Sequence, residues 1–155
     1  MLELGIITSL HGDLDERFAK IKEMGLTSCQ LNNYDPAKFT NEKAQEVLAA
    51  SEKYGIRVSA IWCGWPGPKF WNFTDGPQTL GLVPEAFRFQ RVQCLEKAAD
   101  FAAETGFSVE GLDYSPIKGP EGNIEYLLYL KKNGENGRLT QETIEQTVQT
   151  AHSSL

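Results

Sequence analysis

Two places in the chain carry side chains that could do chemistry. The first is the stretch WCGWPGPKFW, in which Trp62, Trp65, Phe70 and Trp71 follow one another closely. Sugars stack on aromatic faces, so these rings could wall a sugar pocket, and they could instead form local core at the open end of a sheet. The second is Glu125 in the stretch GNIEYLLYL, an acid placed where an apolar strand begins. This carboxylate could belong to a functional site, or it could simply face solvent.

The composition limits the classes of protein that these residues could belong to. The chain has 155 residues and a net charge of -6, which suits a single domain (1–155) with a real core and argues against a nucleic-acid partner. No apolar run approaches the roughly 20 residues of a membrane span, so no membrane partner is expected. Cys29, Cys63 and Cys94 show no CxxC spacing. We therefore expect a cytoplasmic protein with reduced thiols.

The first hundred residues alternate between strand and helix patterns. Three short runs have the composition of strands: residues 4–7, 28–31 and 56–62. Each is followed by a helix with a residue suited to its start: Asp13, Thr40 and Pro84. The third helix is expected to bury Phe87, Val92, Leu95, Ala99 and Ala102. This alternation predicts parallel strands joined by right-handed crossovers.

After Gly106 the pattern changes. Residues 109–114 and 124–130 read as two strands separated only by a loop, which is too short for a crossover, so they should be antiparallel. The second of these strands is apolar on both faces, which favours a central position covered by helices on both sides, with Leu128 buried. A last helix begins after Thr140, and three residues share its apolar stripe: Ile144, Val148 and Ala151.

One family resemblance covers the alternating part of the chain. The loop WCGWPGPKFWNFTDGPQTLGLVPEAFRFQRV, with the openings LGIITSL and FAKIKEMGLTSCQLN, resembles the sugar phosphate isomerase/epimerase family, whose fold is a xylose-isomerase-like TIM barrel. The resemblance covers residues 1–105 and implies a half-barrel fragment of three strand–helix units. In that family the metal ligands and proton-moving carboxylates lie on later strands, which this chain does not match. The resemblance therefore implies neither metal nor cofactor here.

A second, unrelated resemblance covers residues 106–155. The stretch GLDYSPIKGPEGNIEYLLYLKK is similar to the C-terminal end of the TlyA-type, FtsJ-like rRNA 2'-O-methyltransferases, where it forms two closing antiparallel strands of a Rossmann-like sheet. Glu125 matches the last acid of that family's Lys-Asp-Lys-Glu catalytic set. The other three members and the glycine-rich turn for S-adenosylmethionine have no counterpart. The resemblance therefore implies that Glu125 is vestigial.

Together the two resemblances predict a chimera joined near Gly106. The expected fold is an α/β domain with Rossmann- or flavodoxin-like layers and a mixed five-stranded sheet of order 1-2-3-5-4. The competing architecture is a half-barrel that pairs with a second copy, so both a monomer and a homodimer stay open.

For function, we expect a chimeric or designed protein without catalytic activity. The first alternative is a sugar-binding protein related to the isomerase/epimerase family, with a small sugar as its ligand. The second is a remnant of an S-adenosylmethionine-dependent rRNA methyltransferase. Any residual activity would belong to the isomerase/epimerase class, because two thirds of the chain resembles that class.

Overall fold

The computed structural model describes residues 3–82, 84–118, 124, 126–132 and 139–155. Contacts within the chain divide it into two compact units, Met1–Thr105 and Gly106–Leu155. The division lies where the sequence places the joint between the two fragments, and the expectation of a single domain stays a prediction. None of the described helices combines the length and the apolar character that crossing a bilayer requires.

The first unit is built on three parallel strands that pair in chain order: β1 (Gly5–Ser9), β2 (Ser28–Asn33) and β3 (Arg57–Cys63). The helices between and after the strands are α1 (Leu14–Glu23), α2 (Asn41–Tyr54), the single turn α3 (Gly76–Thr79) and α4 (Glu85–Glu104). The predicted parallel arrangement of these strands is confirmed.

Local hydrogen bonds explain where the first two helices begin. The Asp13 carboxylate accepts from the Glu16 backbone N–H at 3.2 Å, and the Thr40 hydroxyl accepts from the Lys43 N–H at 3.2 Å. Each bond satisfies a helix N–H group that has no partner within the helix. Gly55 ends α2 with a φ of 63°, a left-handed conformation that other residues rarely adopt.

The core of the first unit is apolar and comes mainly from β2, α1 and α2. Phe18, Leu31 and Val47 are fully buried. Helix α1 contacts α2, while α4 contacts both α2 and β3. One edge of this unit, the carboxyl end of β2 and β3, leads into the aromatic loop and carries the candidate site.

Helix α4 turns a different face inward from the one that its apolar residues predict. Val92, Leu95 and Ala99 are exposed and Phe87 is only half-buried, so the predicted stripe is wrong except at Ala102. The buried residues are Arg91, Cys94, Ala98, Phe101 and Ala102. The predicted stripe rests on the assumption that only apolar side chains face inward. Arg91 breaks that assumption, because its guanidinium binds backbone carbonyl groups of the preceding loop.

The second unit is an antiparallel strand pair followed by a helix. Strand β4 (Phe107–Tyr114) pairs with β5 (Tyr126–Lys132), with Leu112 opposite Leu128, so the predicted antiparallel pairing is confirmed. Helix α5 (Gln141–Ser154) begins where the Thr140 hydroxyl accepts from the Thr143 N–H, and it contacts β4.

The described strands form two separate sheets, one of three strands and one of two, instead of a five-stranded sheet of order 1-2-3-5-4. Leu128 is 53% exposed, so the predicted burial of this side chain is wrong. Within the second unit α5 contacts β4, and the side chains of β5 are mostly exposed. The α/β class itself is confirmed.

Candidate functional site

Three indole rings gather at the carboxyl end of β3. The ring centroids of Trp62 and Trp65 are 6.0 Å apart, those of Trp65 and Trp71 are 6.0 Å apart, and those of Trp62 and Trp71 are 6.5 Å apart. These spacings are those of interacting aromatic rings. Three of the four aromatic residues predicted as a sugar-binding wall are thus brought together, and we refer to them as the indole cluster.

Tyr34 extends the indole cluster from the neighbouring strand. Its ring centroid is 4.8 Å from that of Trp62 at an interplanar angle of 73°, an edge-to-face contact. Tyr34 directly follows β2, and the carboxyl ends of adjacent parallel strands meet at one edge of the sheet. The Gly64 backbone N–H donates to the Asn33 carbonyl at 2.7 Å and so joins the two strand ends. The sequence analysis missed Tyr34, although its position after a strand was a usable signal.

Gly64 allows the Tyr34 ring to approach this closely. A Cβ atom at position 64 would lie 2.2 Å from Tyr34 Cδ1, a separation that non-bonded carbon atoms do not reach. Any larger residue would therefore displace the tyrosine ring or the strand end.

The indole cluster has one open side. Trp71 is 64% exposed, whereas Trp62 and Trp65 are half-buried and thus held by their surroundings. Phe70 is also exposed, but among the described residues no ring contact joins it to the indole cluster. Its backbone N–H donates to the Thr79 hydroxyl at 3.1 Å. The structure therefore offers an accessible indole face at Trp71 and places Phe70 beside the cluster instead of in it.

A positive charge lies beside the rings. The Lys69 ammonium donates to the Trp65 carbonyl at 3.2 Å, and its nitrogen is 5.4 Å from the centroid of the Tyr34 ring. An ammonium group has three N–H donors, so it can hold this carbonyl and still donate to a ligand.

Arg91 holds the loop that carries the indole cluster. It is 1% exposed, and its guanidinium donates to four backbone carbonyl groups: Thr79 at 2.9 Å, Gly81 at 2.5 Å, Pro68 at 3.0 Å and Pro66 at 3.4 Å. Burial lowers the pKa of the guanidinium below its ordinary value, yet an arginine remains charged in a protein. The carbonyl groups compensate for the loss of water around this charge.

The same guanidinium contacts two aromatic rings. Its central carbon lies 5.4 Å from the centroid of Trp65 and 5.4 Å from that of Phe87, which are cation–π distances. Arg91 thus connects α4 to the indole cluster through both hydrogen bonds and ring contacts. Sequence reasoning missed it, because an arginine within a helix is usually solvated.

A small cavity of about 90 Å³ lies next to Trp65, between the loop and α4. Its lining comes from both elements: Cys63, Gly64, Trp65, Gly81, Leu82, Arg91 and Leu95. The buried Nε1–H of Trp65 has no hydrogen-bond partner among the residues that the structure describes. Such a donor is unusual in a folded protein and marks a place where an acceptor would be stabilising.

Cys63 lines this cavity as a neutral thiol. Burial, with a smaller contribution from Cys94, raises the pKa of Cys63 to about 11. The thiolate is the nucleophilic form of cysteine, so Cys63 is not poised for covalent chemistry at neutral pH.

A larger groove of about 420 Å³ lies between α1 and α2, but its central charges already bind each other. The Asp15 carboxylate accepts from the Lys53 ammonium at 2.7 Å and from the Tyr54 hydroxyl at 2.9 Å. These two hydrogen bonds, that of Lys53 first, lower the pKa of Asp15. The groove is best explained as a helix–helix contact with a surface ion pair.

The remaining predicted site residue, Glu125, lies outside the described residues. Within the described ranges, no group of three or more His, Cys, Asp or Glu side chains is arranged to hold a metal ion.

Known proteins resemble this chain in part, and no family model matches it. The Bacillus subtilis (strain 168) protein named "Putative rRNA methyltransferase YqxC" is 41% identical over 64 residues, which are 39% of this chain and 23% of that protein. The crystal structure of the xylose isomerase domain protein from Planctomyces limnophilus has a TM-score of 0.58 and 27% identity, and the likeness covers 66% of this chain and 37% of that one. The chain thus spans well under half the length of either protein.

These partial likenesses support the interpretation of the chain as two joined fragments. Each likeness covers only part of the chain, 39% for YqxC and 66% for the xylose isomerase domain protein. The match to YqxC is longer than the second unit, so it includes residues that precede Gly106.

Proposed function

We propose that this chain is a chimera of an isomerase-like and a methyltransferase-like fragment that binds a small sugar at the indole cluster without converting it. The observation that carries the proposal is the meeting of Trp62, Trp65 and Trp71 within 6.5 Å of one another at the carboxyl edge of parallel strands. Open α/β sheets bind their ligands at this edge.

Each residue of the site has its own role in sugar binding. The exposed face of Trp71 is available to stack on the C–H face of a sugar ring, while the half-buried Trp62 and Trp65 hold that indole in place. Lys69 adds N–H donors beside the rings, which suits sugar hydroxyl or phosphate oxygens. Aromatic walls with a few polar groups are typical of small-molecule sites.

The chemistry of these side chains favours binding over catalysis. Isomerisation or epimerisation of a sugar moves protons, most often through carboxylate or imidazole groups within hydrogen-bond reach. The side chains that form this site are indole, phenol and ammonium groups. We therefore assign to the indole cluster the recognition of a sugar and not its conversion.

The length of the YqxC match, which exceeds that of the second unit, supports a joint of the chimera upstream of Gly106. A contiguous match of this length that ended with the second unit would begin within α4. Helix α4 would then be an element that both parent folds can accept, since each uses a helix to lead into a strand.

Titration of the purified protein with sugars tests the proposal. Calorimetry and tryptophan fluorescence should show saturable binding of at least one ketose, aldose or sugar phosphate. Trp71→Ala should weaken that binding at least about tenfold, which corresponds to about 1.4 kcal/mol, and should leave stability nearly unchanged because the side chain is exposed. The matched control is Phe73→Ala, because Phe73 lies in the same loop and is fully exposed.

Three results would contradict the proposal. If no sugar bound at millimolar concentration, or if sugar binding survived Trp71→Ala, the indole cluster would not be the binding site. Metal-dependent turnover of a ketose or its phosphate by the purified protein would show that the chain is an enzyme.

The similarity to YqxC supports a second candidate, a remnant of an S-adenosylmethionine-dependent rRNA methyltransferase. Calorimetry with S-adenosylmethionine separates the two candidates. Saturable, stoichiometric binding at micromolar concentration, together with methyl transfer to RNA that Glu125→Gln abolishes, would favour this second candidate over sugar binding.

A further inference from the structure

Strand β5 presents an uncovered apolar surface. Five consecutive large residues of this strand are between 38% and 63% exposed: Tyr126, Leu127, Leu128, Tyr129 and Leu130. Successive side chains of a strand point to opposite faces, so Leu128 lies on one face of the pair and Tyr129 on the other. Both faces of β5 therefore carry exposed apolar side chains.

The backbone of β5 also has a free edge. Of the strands that the structure describes, β5 pairs only with β4, so the N–H and C=O groups along its other edge have no strand partner. An exposed, apolar edge is a template for pairing with another strand. A two-stranded sheet alone is only marginally stable, and three or more strands are needed for independent stability.

We propose that the free edge of β5 is a homodimer interface, at which the β5 strand of a second copy pairs antiparallel and produces a four-stranded sheet of order β4-β5-β5-β4. A two-fold axis perpendicular to the sheet relates identical strands in antiparallel directions, so one self-complementary surface is sufficient. The new pairing gives the N–H and C=O groups along both free edges hydrogen-bond partners. It leaves no further β5 edge to pair, so the assembly stops at two chains.

The sequence of β5 suits this pairing. When the two-fold axis passes through Tyr129, Leu128 lies opposite the partner's Leu130 and Lys131 lies opposite the partner's Leu127. The lysines at the end of the strand are thus kept apart across the interface, and their aliphatic stems cover apolar side chains. Apolar pairs face each other at the centre, where cross-strand contacts contribute most.

The available area indicates a weak, reversible dimer. Five side chains that are about half exposed offer on the order of 400 Å² of surface per copy, judged by the usual areas of large side chains. Twice this area, with the backbone edges added, comes close to the roughly 1,000 Å² that separates specific interfaces from incidental contacts. We therefore expect association in the micromolar range.

Sedimentation equilibrium of the full chain, from low micromolar to near-millimolar concentration, tests the interface. The expected result is a monomer–dimer equilibrium. Leu128→Glu should weaken association at least about tenfold, because it places two carboxylates near the centre of the new sheet. The matched control is Ile117→Glu, since Ile117 is exposed in the same unit but lies outside the strands, and it should leave the association constant unchanged.

Cross-linking provides a second measurement, and its result does not depend on whether the protein folds with the charge that Leu128→Glu introduces. Tyr129→Cys should form an intermolecular disulfide on mild oxidation, because position 129 faces itself across the axis at a cross-strand Cβ distance of about 4.5–5.5 Å. A small shift of the edge strands brings this distance into the range of a disulfide. Ile117→Cys should not. A monomer at every concentration, a dimer that Leu128→Glu leaves intact, or oligomers larger than two would each overturn the proposal.

Discussion

The guanidinium of Arg91 lies over the indole ring of Trp65, with its central carbon 5.4 Å from the ring centroid, and the same group binds four carbonyl groups of the surrounding loop. One buried charge thus holds both the backbone of the loop and a ring of the indole cluster. The shape of the candidate site depends on a side chain that does not reach its open face.

Replacing Arg91 by methionine should lower the free energy of unfolding by about 2–4 kcal/mol, because it leaves buried carbonyl groups without donors. Arg91→Lys should recover only part of this loss, since an ammonium cannot reproduce the planar, five-donor geometry. Denaturant unfolding measures the loss, and near-UV circular dichroism should report disorder among the indoles. The control is Lys97→Met on the exposed side of the same helix, with an expected change within about 0.5 kcal/mol. Equal effects of the two methionine variants would show that the buried carbonyl contacts are unimportant.

Gly64→Ala should destabilise the protein by about 1–3 kcal/mol, because the new methyl group would overlap the Tyr34 ring. The edge-to-face contact of Tyr34 with Trp62 should be lost, and the near-UV circular dichroism of the aromatic residues should change with it. Gly111→Ala is the matched control, since a Cβ at that position meets no atom within 4 Å. An unchanged aromatic spectrum in Gly64→Ala would contradict the described approach of the two rings.

The thiol of Cys63 should react slowly with iodoacetamide at pH 8. Its pKa of about 11 lies above the ordinary value of 9.0, so the thiolate fraction in the folded protein is about a hundredfold lower than for a free thiol. A raised pKa in the folded state also means that this group stabilises the fold fully below pH 9.0 and loses that contribution as the pH rises through about 11. Labelling rates measured by peptide mass spectrometry over a range of pH give the pKa of Cys63 in the folded protein. The same measurement on urea-unfolded protein gives the reference pKa. A labelling midpoint near pH 9 in the folded protein would refute the burial of this thiol.

Leu31→Ala and Leu128→Ala should have very different costs. Leu31 is fully buried in the core of the first unit, so its truncation should cost about 2–5 kcal/mol. Leu128 is exposed, so at concentrations where the chain is monomeric its truncation should cost less than about 1 kcal/mol. Chemical denaturation of both variants at low micromolar concentration compares the two values. A similar loss in both would mean that β5 is covered in the single chain.

Several features could be read from short stretches of sequence because their causes are local. The helix starts after Asp13 and Thr40 follow from side-chain acceptors that satisfy the first N–H groups of each helix. The left-handed turn at Gly55 follows from the residue type. The parallel order of β1 to β3 and the antiparallel pair of β4 and β5 follow from the lengths of the connections. The aromatic residues of the loop were recognised by type alone.

Other features depend on which distant groups meet, and only the tertiary structure decided them. The inward face of α4 was set by the carbonyl groups that Arg91 binds across the loop, which an apolar periodicity cannot show. The Tyr34 ring contacts Trp62 because adjacent strand ends meet and the bare backbone of Gly64 lets that ring approach. The exposure of the apolar side chains of β5 was likewise not evident from their sequence pattern. Local patterns specify how an element begins and ends, whereas the partner of each face is a property of the assembled chain.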